Sequence, residues 1–158
     1  MSRREQIQMT DSEIRDFIDG SQTIILNSIG KDGVPHPMPM WFGREDDGAI
    51  VMSTFTKSQK ILNLDRDPRV SLLVESGTAY SELRGVVLYG TAELLREPEQ
   101  VVEVLVRVNR RSIPTGSEGP DDDAIRTAVR GTAPKRTGIR VRPDRIVSWD
   151  HSKLAGVY

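Results

Sequence analysis

Two lysines three residues apart, Lys57 and Lys60, follow directly on a pair of hydroxyl residues, Ser53 and Thr54, and flank a third, Ser58. Hydroxyls, an ammonium and the free amides of a helix's first turn are the donors that hold a phosphate. On a helix running from Lys57 to Asp65, Lys57 and Lys60 share a face that Asn63 continues, and Ile61, Leu62 and Leu64 lie mostly on another. Two readings stand on the residues: a solvated helix face, or an anion site at the junction of strand and helix. The hydroxyls at the strand end favour the anion site.

A second feature lies upstream. Pro35, Pro37 and Pro39 alternate with His36, Met38 and Met40, and the run ends in Trp41 and Phe42. In a strand, amides two residues apart point to the same edge, so three prolines in this register strip one edge of its donors. The segment is therefore expected at a sheet edge. It is either an edge protected against aggregation or a lip beside a ligand, with Trp41 and Phe42 supplying flat apolar surface.

Other chemistries find no residues. The chain has no cysteine, so it has no disulfide, thiolate metal site or cysteine nucleophile, which fits a cytoplasmic protein. His36 and His151 are far apart and lack ligand spacing, so no metal is expected. No dinucleotide fingerprint, phosphate-binding P-loop or nucleophile elbow is present. A formal net charge of -1 gives no field for gathering nucleic acid. No apolar run is long enough to span a membrane, and the N-terminal basic residues have no apolar segment behind them, so no secretory signal is expected.

The elements that must position these residues read as one domain over 1–158, with a flexible start at 1–9. Thr10 and Glu13 form a capping box for a helix carrying Ile14, Phe17 and Ile18 and ending at Gly20. Strands are expected over 22–29, 34–42, 49–54, 69–75 and 83–95, with Gly85 and Gly90 as bulge or close-approach points. Pro98 starts a helix with an apolar stripe, 113–120 is a loop, and 121–130 a short helix. Residues 136–149 read as a strand pair or a bent strand, broken at Pro143 and Asp144. Six strands, two hairpin turns and helices inserted between strands indicate a mainly β, antiparallel barrel with α decoration.

The ordered set resembles a known superfamily. The proline strand ending in Met40, Trp41 and Phe42, the stretch Met52 to Thr54 with Lys60, Asn63 and Leu64, then Asp67 to Ser71, then Leu83 to Val86 with Gly90, Ala92 and Glu93, is similar to pyridoxamine 5′-phosphate oxidase-like split barrels. Within them it is most like the flavin/deazaflavin oxidoreductases, many of which use coenzyme F420. The resemblance runs from about Thr10 to the C-terminus, including the ending Ile146 to Tyr158.

The resemblance implies a homodimer of six-stranded split barrels with cofactor clefts between subunits. It places the phosphate-binding lysine at Lys60, with Ser53 and Thr54 at the strand end, and the backbone of Met40, Trp41 and Phe42 beside the ring system. The C-terminal segment 146–158 of the partner closes the cleft, bringing in Trp149 and, behind it, His151 and Lys153. Many members carry Arg two residues before the lysine; here that position is Ser58, and Lys57 is the neighbouring cation. The implied activity is hydride transfer from reduced F420 to an unsaturated small-molecule substrate, with His36, or else Tyr89 or Tyr158, as the candidate proton donor. FMN is the alternative cofactor; Arg107, Arg110 and Arg111 would favour F420 by receiving its acidic tail. A carrier of flavin, F420 or haem without turnover is the alternative role.

Overall fold

The computed structural model describes residues 2–114 and 116–154. Tyr158, and the rest of the tail after Leu154, lie outside them. Seven strands form one antiparallel sheet: β1 (Thr23–Ile29), β2 (Pro35–Trp41), β3 (Gly43–Arg44), β4 (Ile50–Phe55), β5 (Arg69–Ser76), β6 (Arg84–Leu95) and β7 (Arg136–Asp150), in the order β2-β1-β5-β6-β7-β4-β3. The helices are α1 (Arg3–Ile7), α2 (Asp11–Asp19), α3 (Gln59–Arg66), α4 (Pro98–Ser112) and α5 (Asp122–Val129).

The order explains the curvature. β2 and β3 occupy opposite edges of the sheet, yet only Phe42 separates them in sequence. Two peptide links reach about 7.6 Å at most, so the two edges must meet at that corner and the sheet must curl. β2 also contacts β4 near this corner. The result is the mainly β barrel read from the sequence, with the two-residue β3 as a seventh strand.

The proline strand is an edge, as its register requires. Pro35, Pro37 and Pro39 stand opposite Ile29, Asn27 and Ile25, and β2 pairs with β1 alone. With no proline amide to give, the β1 side is bonded through His36, Met38 and Met40.

Inward-facing residues of every long strand, among them Ile24, Leu26, Ile50, Met52, Leu72, Leu88 and Ile139, fill the barrel. Ile61 and Leu64 of α3 and Ile18 of α2 complete this core. β4 is buried on both faces: Ile50 and Met52 point inward, and Val51 packs outward with Val104 and Val108 of α4. A further cluster joins Val101, Val102 and Leu105 of α4 to Ile125 of α5.

Local signals match where the chain itself sets them. Thr10 and Glu13 cap α2 reciprocally, and Pro98 opens α4. Two differences have a cause elsewhere in the fold. α3 begins at Gln59 rather than Lys57, because Thr56 is tied down by its amide to the Lys135 carbonyl just before β7 (3.1 Å) and by its hydroxyl to that of Thr137 in β7 (3.0 Å). β7 does not break at Pro143: Gly90 faces Pro143 and Tyr89 faces Arg145, so a bulge at Asp144 absorbs the proline. The first nine residues carry α1, and Met9 is buried with its amide on Ser148 Oγ (3.1 Å).

The chain's two ends are joined through Lys153, whose Nζ lies 2.6 Å from Glu13 Oε2 and 2.9 Å from the Gln8 carbonyl. The Lys153 ammonium, with the Thr10 amide, lowers the Glu13 pKa from 4.5 to about 2. Because the folded value lies below the unfolded one, the contribution is complete above pH 4.5 and is lost as pH falls through about 2. An NMR titration of the Glu13 carboxyl is expected to show a midpoint near 2, and Glu13→Gln should speed amide exchange around Lys153 at neutral pH.

Candidate functional site

The junction of β4 and α3 gathers three of the expected residues. Alternation along β4 turns Thr54 to the inner face, with Met52. Lys60 Nζ donates to Thr54 Oγ1 at 3.2 Å, and Thr54 Oγ1 lies 3.4 Å from Ser58 Oγ at the N-cap of α3. The first-turn amides of Gln59 and Lys60 have no acceptor among the described residues, and Ser58 makes no side-chain cap bond. These are donor types that an anion site requires, gathered in one place.

Its electrostatics are unusual. Lys60 is 8% exposed and has no carboxylate within ion-pair distance among the described residues; its hydrogen-bond partner is a hydroxyl. Burial lowers its pKa. A buried ammonium without a counter-charge carries a desolvation cost that a bound anion would offset.

The helix behind it does not present a solvated face through Asn63, the other reading the residues allowed. Asn63 is fully buried: its Nδ2 donates to Ser28 Oγ (3.0 Å), and Gln59 Nε2 donates to its Oδ1 (2.9 Å). This Ser28–Asn63–Gln59 chain pins α3 to β1 and aims its N-terminus, and it was missed. The available signal was an amide side chain, able to donate and accept, one turn after Lys60. Lys57 is exposed in the turn before α3 and shares no helical face with Lys60.

The remaining expected residues divide. Ser53 points to the outer face of β4, away from Thr54, and lines a cavity with Trp41, which is 56% exposed. Met40 and Phe42 are core residues, so their side chains do not line a cofactor surface. Phe42 instead packs under Arg111, whose guanidinium lies 4.0 Å over the ring and donates to the Ile18 and Ser21 carbonyls. His36 lines a separate open cavity with Gln59 and Asn63, and its Nδ1 is buried without a partner.

Trp149 is not near Lys60 within one chain. It stands thirteen residues beyond Arg136 on β7, roughly 40 Å of strand if straight. Its ring crosses Gly85. His151 contacts the Tyr80 carbonyl (3.0 Å), and Lys153 is engaged with α2.

Arg107, Arg110 and Arg111 do not form a free basic groove. They pair with Asp46, Asp122 and Asp19, in a cavity where Arg44 also pairs with Asp19 and Arg126 with Glu103.

Comparison with known proteins now fits this geometry. Residues 10–150 match the family described as pyridoxamine 5′-phosphate oxidase. The chain belongs to the pyridoxamine 5′-phosphate oxidase family. The conserved hypothetical protein Rv2991 from Mycobacterium tuberculosis is 42% identical to it, with a TM-score of 0.85 over 100% of this chain and 95% of that one. An F420 reductase shares the fold at 22% identity and TM-score 0.61, over 84% of this chain and 94% of its own. So does a FAD-binding protein from Mesorhizobium loti, at 16% identity and TM-score 0.64, over 89% and 94%. Among curated proteins none matches. No helix among the described residues is long and apolar enough to cross a membrane.

In this member of the family, Gly85 is fixed by a neighbour rather than by backbone conformation. A Cβ there would lie 2.1 Å from Trp149 Cζ2. Gly85→Ala is therefore expected to displace the indole and to cost about 1–3 kcal/mol in overpacking. Denaturant unfolding and a changed tryptophan emission would show it; wild-type emission and stability would contradict it.

Proposed function

We propose that this protein is an oxidoreductase that binds a phosphate-bearing flavin-type cofactor, F420 in the first instance, and passes a hydride from its reduced form to an unsaturated organic substrate. The observation that carries the reading is Lys60, a buried ammonium with a hydroxyl partner and, among the described residues, no counter-charge and free helix amides beside it. Lys60, Thr54, Ser58 and the first turn of α3 would hold the phosphate.

The cofactor supplies the redox chemistry when bound; the chain supplies binding, orientation and exclusion of water. The outer edge of β2, stripped of amide donors by its prolines, offers a lip along which a flat ring can lie without strand pairing. Trp41 presents an exposed indole at the end of that lip. His36, whose buried Nδ1 has no partner among the described residues, is the candidate to hold a proton beside α3. We further propose a cytoplasmic homodimer in which Trp149 of each copy reaches the other's cleft, since one chain keeps it away from Lys60.

FMN is the second reading, and a specific observation favours it. The pocket suits a single phosphate, and the arginines that would receive the acidic tail of F420 are already ion-paired. A carrier role is distinguished by binding without reduction of quinones or enones.

Titration with F420, followed by its fluorescence, and with FMN, followed by flavin quenching, decides the cofactor. Lys60→Ala is expected to weaken the preferred one by about 1.5–3 kcal/mol, the range for a hydrogen bond to a charged group. Unchanged affinity for both would refute the site. Sedimentation should show a dimer at micromolar concentration; a monomer that still binds cofactor would refute the shared cleft.

A further inference from the structure

We propose that a second pocket, on the outer face of β4, binds the carboxylate of a planar, unsaturated substrate, with Arg136 as its principal anchor and Ser53 as its second. This rests on the redox reading above, because it names the substrate class of that reaction, but its residues are not those assigned to the phosphate.

The pocket encloses about 320 Å3 between the outer face of the barrel and helices α4 and α5. This is the lower end of the range for small-molecule sites. Leu105 and Val129 give it apolar walls, and Trp41 gives it a flat rim. Two of the residues that line it carry a buried polar atom with no partner among the described residues: Ser53 Oγ and Arg136 Nε. A buried polar atom left without a hydrogen bond is costly, so two beside one cavity call for a ligand.

The chemistry of the pair points to a carboxylate. Arg136 forms no ion pair among the described residues, although the other cations around it are mostly paired with acids. Its guanidinium lies 4.6 Å over the Phe55 ring, directly across the β4–β7 ladder, which fixes the plane of the fork. A fixed guanidinium edge with a free Nε accepts a carboxylate through two parallel bonds. Ser53, two residues before Phe55 on the same face, stands ready to donate to the same group. An indole rim and aliphatic walls then suit a flat conjugated body rather than a polar one.

The split of Ser53 from Thr54 is what separates the two sites. Consecutive residues of one strand serve opposite faces, so the phosphate group on the inner side and the carboxylate on the outer side share β4 without sharing a side chain.

The test uses 2-naphthoate and its uncharged counterpart 2-naphthamide as probes of the full-length protein. Binding is followed by calorimetry, and by Trp41 emission in a Trp149→Phe background, which leaves one of the two tryptophans. Naphthoate is expected to bind saturably, to quench Trp41, and to bind at least about tenfold more tightly than naphthamide. Arg136→Gln should reduce naphthoate to the level of naphthamide, and Ser53→Ala should weaken it about threefold. Arg136→Lys, which keeps the charge but loses the fork, should fall between. Lys60→Ala should leave naphthoate affinity unchanged while weakening the cofactor. Equal affinity for acid and amide, loss of naphthoate binding on Lys60→Ala but not on Arg136→Gln, or displacement of naphthoate by the cofactor would each overturn the proposal. Naphthoate binding to a protein that takes up neither F420 nor FMN would overturn the cofactor reading and leave the pocket standing.

Discussion

A single residue closes this barrel. Phe42 joins the last residue of β2 to the first of β3, which stand at opposite edges of the sheet, so the sheet has no freedom to remain open at that corner. The link is held from outside as well. Arg111 covers the ring and is itself tied to the end of α2 by two backbone carbonyls and to Asp19. Burial lowers the Arg111 pKa, yet a guanidinium stays charged, so the cost is met by these contacts and the ring face. Helix α2, the β2–β3 corner and α4 are thereby locked together.

From that closure follows the two-sidedness of β4. Its inner face completes the barrel core and its outer face lies under α4, which is why its run from Ile50 to Met52 is apolar throughout. Where the apolar run ends, polar residues inherit both faces. Thr54 meets Lys60 inside, and Ser53 meets the cavity that Arg136 borders outside. The interior position is the more demanding, because the ammonium there is kept from solvent by α3, and α3 is pinned by Asn63 on Ser28. A buried hydrogen-bonded network of this kind fixes orientation and leaves the charge uncompensated.

Much of this was legible in the chain. The three alternate prolines could only be an edge, Thr10 and Glu13 could only cap, and Gly85 marked a close approach now seen to be the Trp149 ring. Such features are local, or depend on a missing atom. Features set by distant partners were not legible. α3 starts two residues late because Thr56 is held by Lys135 and Thr137, and its amide face turns inward because Ser28, far back in sequence, accepts it there. Arg107, Arg110 and Arg111 read as a basic end of a helix, and only the fold shows which acids meet them. Within the candidate site, Lys60, Thr54 and Ser58 stand together as their spacing suggested, while the side chains of Met40 and Phe42, expected there for their backbone, belong to the core.

The central claim is that Lys60 is an ammonium kept for an anion. It is tested most directly by its own titration, read from the Lys60 side-chain carbon next to Nζ by NMR in protein free of cofactor and in protein saturated with F420 or FMN. Burial without a counter-charge predicts a pKa below the ordinary lysine value of 10.5 in the free protein, rising when the cofactor phosphate is bound. A pKa that is the same in free and saturated protein would contradict it.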